Sequence, residues 1–94
     1  MMNQPTNQLS QDVIIINPLG LHARAAAKIA ALAKDMKSNI WIIKDGEKAD
    51  ASSVIEILTL ACAQGSKITI AIDDQSDLSI LNNLVRLVES GFGE

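Results

Sequence analysis

Asn17-Pro18-Leu19-Gly20-Leu21-His22-Ala23-Arg24 joins two segments of opposite character. Before it stands Val13-Ile14-Ile15-Ile16, an unbroken run of β-branched apolar residues; after it an alanine-rich pattern runs over 23–36. β-Branched residues suit a pleated surface, and alanine is the strongest helix former. The stretch therefore reads as a strand handing over to a helix through a turn made by Asn-Pro and Gly. It also contains the only histidine of the chain. A helix N-terminus exposes unpaired backbone N–H groups and a partial positive charge, which together make an anion site. An imidazole placed there, with Arg24 two residues on, reads as a nitrogen nucleophile beside a place where a phosphoryl group could rest. The plainer alternative is a surface or helix-capping histidine next to an ordinary solvated arginine.

Outward from this stretch, the pattern sets the order of elements. The apolar run over 13–16 predicts a central or well-covered strand. In the helix over 23–36, Ala25, Ala26, Ile29, Leu32, Ala33 and Met36 gather on one side and Arg24, Lys28 and Asp35 on the other. A strand over 39–44, the hairpin signal Asp45-Gly46 and a short strand over 47–51 follow. Ser53 with Glu56 three residues later fits a capping box opening a helix over 54–63. That helix is apolar on most of its circumference, through Val54, Ile55, Ile57, Leu58, Leu60, Ala61 and Cys62. A small domain cannot bury every side of a short helix, so part of this surface is expected to face solvent as a partner site. Gln64-Gly65 is expected to stop the helix. Ile68, Ile70 and Ile72 alternate in a strand over 66–72. Asp73-Asp74 then turns the chain, Asp77 is expected to cap a last amphipathic helix, and Gly91 to end it. The order β-α-β-β-α-β-α predicts an α+β two-layer sandwich, four strands with all helices on one face and the other face open to water.

Composition narrows the function. The chain of 94 residues is 48% hydrophobic, enough for one small core. Trp41 and Phe92 are its only aromatics and the net charge is −3. Base stacking and phosphate-backbone binding are therefore not expected, and nucleic acid is excluded as a partner. The single Cys62 allows no internal disulfide, supplies no metal cluster and is read as a buried inert thiol. No apolar run is long enough to span a bilayer and residues 1–10 lack a signal-peptide core, so a soluble cytoplasmic protein with no membrane partner is expected. Residues 1–10, rich in Asn and Gln, are expected to be a disordered tail to a domain over 11–94.

Leu21-His22-Ala23-Arg24 after a strand, Ala51-Ser52-Ser53-Val54-Ile55 opening the second helix, and Gln64-Gly65-Ser66 after it resemble the HPr phosphocarrier proteins of the bacterial phosphotransferase system. The resemblance runs from about Gln11 to Glu94. It implies the HPr-like open-faced β-sandwich, a four-stranded antiparallel sheet with three helices on one face. It also implies a histidine phosphocarrier: His22 accepts a phosphoryl group through Nδ1 from phosphorylated enzyme I, which takes it from phosphoenolpyruvate, and passes it to an EIIA-type domain. Such a protein carries a transient phosphohistidine, is not itself an enzyme, needs no cofactor or metal, and is expected to be a monomer. Arg24 matches the family arginine that balances the phosphate charge. Ser53 matches the serine that an HPr kinase/phosphorylase modifies in many members. Val54, Ile55 and Leu58 are then the expected partner-docking residues. Two positions depart from the pattern: Ala25 stands where most members have proline, and Ser52 where kinase-regulated members often have lysine. The tracts Ala-Ser-Ser-Val-Ile and Glu89-Ser90-Gly91-Phe92 are closer to the nitrogen-related NPr branch than to the sugar-transport branch. A regulatory module of the same fold, acting by docking with Ser53 as switch, is the alternative reading.

Overall fold

A computed structural model describes residues 9–94. Its elements are β1 (Ser10–Ile14), α1 (Ala23–Ala33), β2 (Ile40–Lys44), β3 (Glu47–Asp50), α2 (Val54–Thr59), β4 (Lys67–Ile72) and α3 (Leu78–Glu89), with 3-10 turns at Gln75–Asp77 and Gly91–Gly93. The strands form one sheet in the order β1-β4-β2-β3, antiparallel at every pair. This is the α+β open-faced sandwich that the pattern predicts. Of the tail expected over 1–10, residues 1–8 lie outside the described residues; Ser10 already pairs with Ala71, and the Leu9 carbonyl accepts from Ile72 N at 2.7 Å.

The core lies between the helices and one sheet face. Ile42, Ile68 and Ile70 from the sheet meet Ala25, Ala26 and Ile29 of α1, Ile57 of α2 and Leu81, Leu84 and Val88 of α3, all buried. The opposite sheet face carries half-buried Trp41, with Lys48 Nζ 4.4 Å from the ring centroid and the indole N–H donating to Asp73 Oδ1 at 3.2 Å. An aromatic ring on the wet face is thus covered by a cation and tied by its polar tip.

Four local expectations need correction. β1 is an edge strand, not a central one: Val13 and Ile15 are buried while Ile14 and Ile16 point to water. An unbroken apolar run hides a period of two, because only one face of this open-faced sheet meets the core. α1 ends at Ala33, with Met36 packing onto the core beyond it. α2 ends at Thr59, well before Gly65. Ala61 adopts φ 51°, a left-handed step that breaks the helix. Lys44 Nζ takes the freed carbonyls of Leu60 and Ala61 at 3.3 and 3.2 Å, and Leu21 N takes that of Cys62 at 2.9 Å. Finally, Asp77 sits at the start of α3 but makes no side-chain cap bond. Its buried carboxylate instead accepts from Lys37 N and Ser38 N at 2.8 and 2.9 Å, tying the loop after α1 to α3. Asp74 caps the 3-10 turn that precedes α3: it accepts from Ser76 N at 2.8 Å and thereby holds its own carboxyl below the ordinary aspartate range.

Candidate functional site

The turn before α1 is built to a tight tolerance. Gly20 has φ +66°, and a Cβ there would stand 2.3 Å from the Cys62 carbonyl oxygen. Only glycine allows that approach, and the approach lets Leu21 N bond Cys62 O, so the loop leaving α2 pins the loop entering α1. Asn17, 3% exposed, closes the turn from the other side: its Nδ2 donates to Gly20 O at 2.9 Å and its carbonyl accepts from Gly20 N at 3.0 Å.

His22 occupies the N-cap of α1 in extended conformation (φ −76°, ψ 178°). Its carbonyl accepts from Ala26 N at 2.9 Å, and its Nδ1 accepts from Arg24 N at 3.2 Å. The imidazole thus takes the place of the usual Ser, Thr or Asp cap. The helix-capping reading of this histidine holds, and its ring is partly exposed at the N-terminal end of α1. Because Nδ1 accepts a proton bond, the neutral ring carries its proton on Nε2, which donates to Glu94 Oε2. The other carboxylate oxygen, Oε1, receives Asn17 Nδ2 at 3.2 Å. The His22 bond, then Asn17 and the nearby Lys28 charge, hold the Glu94 carboxyl below the ordinary glutamate range, against a partial desolvation. Arg24 is exposed in the first turn, and its guanidinium has no acceptor among the described residues.

The last residues form a strap that closes the site. Gly91 and Phe92 both take positive φ, the Phe92 ring is buried, and Lys28 Nζ donates to the Phe92 carbonyl at 2.6 Å. Sequence reasoning placed His22 and Arg24 together, and the structure does so; it missed Glu94, Asn17 and Lys28. A lone aromatic flanked by glycines near the end of the chain was the available signal of an anchored segment. Nothing local could show that Glu94 meets a histidine 72 positions away.

Ser53 caps α2 as expected, its Oγ accepting from Glu56 N at 3.2 Å. The Glu56 carboxylate does not return to Ser53; it accepts from Asp50 N at 2.9 Å, because Ser53 N is already bonded to Asp50 O. Of the expected docking residues, Ile55 is 77% exposed and Leu58 is 39% exposed, while Val54 is partly buried against the core. α1 and α2 pack together, and Leu19, 70% exposed, adds to the apolar surface at the turn before His22. No group of three or more His, Cys, Asp or Glu side chains able to hold a metal occurs among the described residues. No helix of the described residues is long and apolar enough to cross a membrane.

The family model for the PTS-HPr component phosphorylation site matches residues 9–90. Phosphocarrier protein HPr of Cupriavidus necator is 37% identical over 92% of this chain and 97% of its own length. Phosphocarrier protein NPr of Shewanella violacea is 39% identical over 93% of this chain and 96% of its own. The crystal structure of HPr-C-His from Thermoanaerobacter tengcongensis superposes with a TM-score of 0.84 at 35% identity, covering 90% of this chain and 96% of that one. An open-faced α+β sandwich with these relatives is of the phosphocarrier class. The chain belongs to the HPr family of the bacterial phosphotransferase system.

Proposed function

We propose that this protein is a histidine phosphocarrier that accepts a phosphoryl group on His22 Nδ1 from phosphorylated enzyme I and delivers it to an EIIA-type domain. The observation that carries this is the state of the imidazole at the α1 N-cap. Its Nε2 is committed to Glu94, so the lone pair lies on Nδ1, and the Arg24 amide is directed at the same atom. A neutral imidazole is a competent nucleophile near neutral pH. The Arg24 N–H bond to Nδ1 breaks, the freed lone pair attacks phosphorus, the Nδ1–P bond forms as the donor's P–N bond breaks and leaves its electron pair on the donor nitrogen, and the ring keeps its Nε2 proton. The first-turn amides and the free Arg24 guanidinium face the negative charge that arrives. Transfer onward reverses the same step onto the acceptor's histidine, so no group needs to be gained or lost. The chain moves phosphate between enzymes and is not itself one; the domain over 11–94 does this in the cytoplasm.

The test is incubation with a cognate enzyme I and labelled phosphoenolpyruvate. The wild type takes up label that is lost in acid, as a phosphorus–nitrogen bond requires, and His22→Ala takes none. An unlabelled wild type overturns the proposal.

A further inference from the structure

Lys44 is a charged group in an apolar place, and the carrier reading gives it no task. β2 alternates, with Ile40 and Ile42 buried beneath the helices, and Lys44 follows them at the same period of two. The pattern calls for an apolar side chain there; a half-buried lysine stands instead. Among the described residues no carboxylate forms an ion pair with it. Its Nζ donates to the carbonyls of Leu60 and Ala61 at 3.3 and 3.2 Å. Ala61 is the left-handed residue, at φ 51°, that turns the chain out of α2. The next carbonyl, that of Cys62, receives Leu21 N at 2.9 Å and is the oxygen that leaves no room for a Cβ on Gly20. Lys44 therefore fixes the two peptide units directly before the one on which the His22 turn rests.

We infer that Lys44 is a positioning residue for phosphoryl transfer: by holding Leu60 O and Ala61 O it keeps the Cys62 carbonyl under Leu21, and so keeps His22 in place at the start of α1. The inference rests on the carrier reading for its effect on transfer only; the hold on the turn is a property of the unmodified protein. Ala61 has a Cβ and a positive φ, a conformation that persists where the surroundings fix it. An ammonium has three donors to spend on the carbonyls around such a step, and an apolar side chain of similar length has none. The path to the nucleophile is short: Nζ to Ala61 O, one residue on to Cys62 O, across to Leu21 N, and so to His22 beside it. A displacement of about 1 Å at a reacting group can cost on the order of a hundredfold in rate. A loosened Cys62 carbonyl is therefore felt in the transfer step. Lys44 bonds neither the imidazole nor Arg24, so it acts through the turn.

Two variants test the hold. Lys44→Met keeps most of the stem and removes the donors; Lys44→Arg keeps donors at the position. Amide hydrogen exchange at Leu21, with Ile70 in the interior strand β4 as the reference for global opening, reports the turn. Phosphorylation by enzyme I, read as kcat and KM, reports the chemistry. Lys44→Met is expected to speed exchange at Leu21 about tenfold or more relative to Ile70 and to lose about tenfold in kcat. Its KM stays near the wild-type value, since Ile55 and Leu58 stand ahead of the carbonyls that Lys44 holds. Lys44→Arg recovers most of both losses. A lysine that merely holds the fold would speed exchange at Leu21 and Ile70 alike and leave kcat unchanged below the melting range. That result overturns the inference, and so does an unchanged Leu21 exchange or an unchanged kcat in Lys44→Met. If Lys44→Met does not fold, Lys44→Gln carries the same comparison, and failure of both to fold overturns the inference as well. A wild type that takes no label counts against the carrier reading instead, and the exchange data then decide the hold on the turn alone.

Discussion

His22 serves two ends through its two nitrogens: Nδ1 caps α1 through the Arg24 amide, and Nε2 is held by Glu94. Arg24 contributes differently, because its side chain is exposed and without an acceptor among the described residues. Arg24→Ala should therefore leave folding within about 0.5 kcal/mol of wild type, as surface substitutions do. It should slow phosphoryl transfer by about tenfold to a hundredfold, since one hydrogen bond to a charged group contributes about 1.5–3 kcal/mol. Denaturant melts and single-turnover transfer read the two effects separately. A sharp loss of stability, or transfer at the wild-type rate, would remove Arg24 from the role given to it. The pairing of His22 with Arg24 was legible because both lie in one helical turn, where spacing along the chain is spacing in space. Proline is absent from the position after Arg24, and α1 nevertheless forms from Ala23, because the His22 cap and the buried Ala25, Ala26 and Ile29 suffice to start it.

At the scale of elements, α2 is the informative case. The sequence supports an apolar helix over 54–63, and its excess of apolar residues is what pointed to a partner surface. The helix is shorter, so Leu60 and Cys62 are buried from a loop rather than from a helix face, and burial pushes the Cys62 thiol up despite the nearby Lys44. The exposed excess narrows to Ile55 and Leu58 on α2, with Leu19 on the turn before His22. Ile55→Glu should raise the KM for enzyme I by about tenfold or more, because burying one such side chain is worth about 1.5–3 kcal/mol at an interface. Its melting temperature should stay near wild type, since the side chain touches little of the core. Unchanged kinetics in a folded Ile55→Glu protein would mean that partners dock elsewhere.

On the scale of the whole molecule, the last residues close onto the first helix through Phe92, Lys28 and Glu94. The folded protein lowers the Glu94 carboxyl from its ordinary value of 4.5, chiefly through the His22 bond. A depressed carboxyl stabilises the fold fully above its unfolded value and loses that contribution as pH falls through the folded one. The wild type should thus lose melting temperature more steeply than Glu94→Gln once pH drops below about 4.5. Parallel melting curves for the two proteins down to low pH would show that the strap draws no stability from this charge.

The sequence by itself determined the element order, the core faces of α1, β4 and α3, the hairpin at Asp45-Gly46, the Ser53 cap and the nearness of His22 to Arg24. Each is a local matter of periodicity, capping or turn chemistry over a few residues. Tertiary structure decided which strand lies at the edge, where α2 stops, and what Asp77 and Glu94 bond. Those outcomes depend on partners far along the chain. Ala61 ends α2 because Lys44 and Leu21 are there to receive the carbonyls that follow, and Asp77 forgoes capping because its buried carboxylate is met by the Lys37 and Ser38 amides. A buried polar group left unpaired costs about 1–3 kcal/mol, and more when it is charged as the Asp77 carboxylate is, which exceeds the preference of most residues for one local conformation over another. Where local preference and long-range satisfaction of polar groups disagree, the second wins, and only the folded chain shows where that happens.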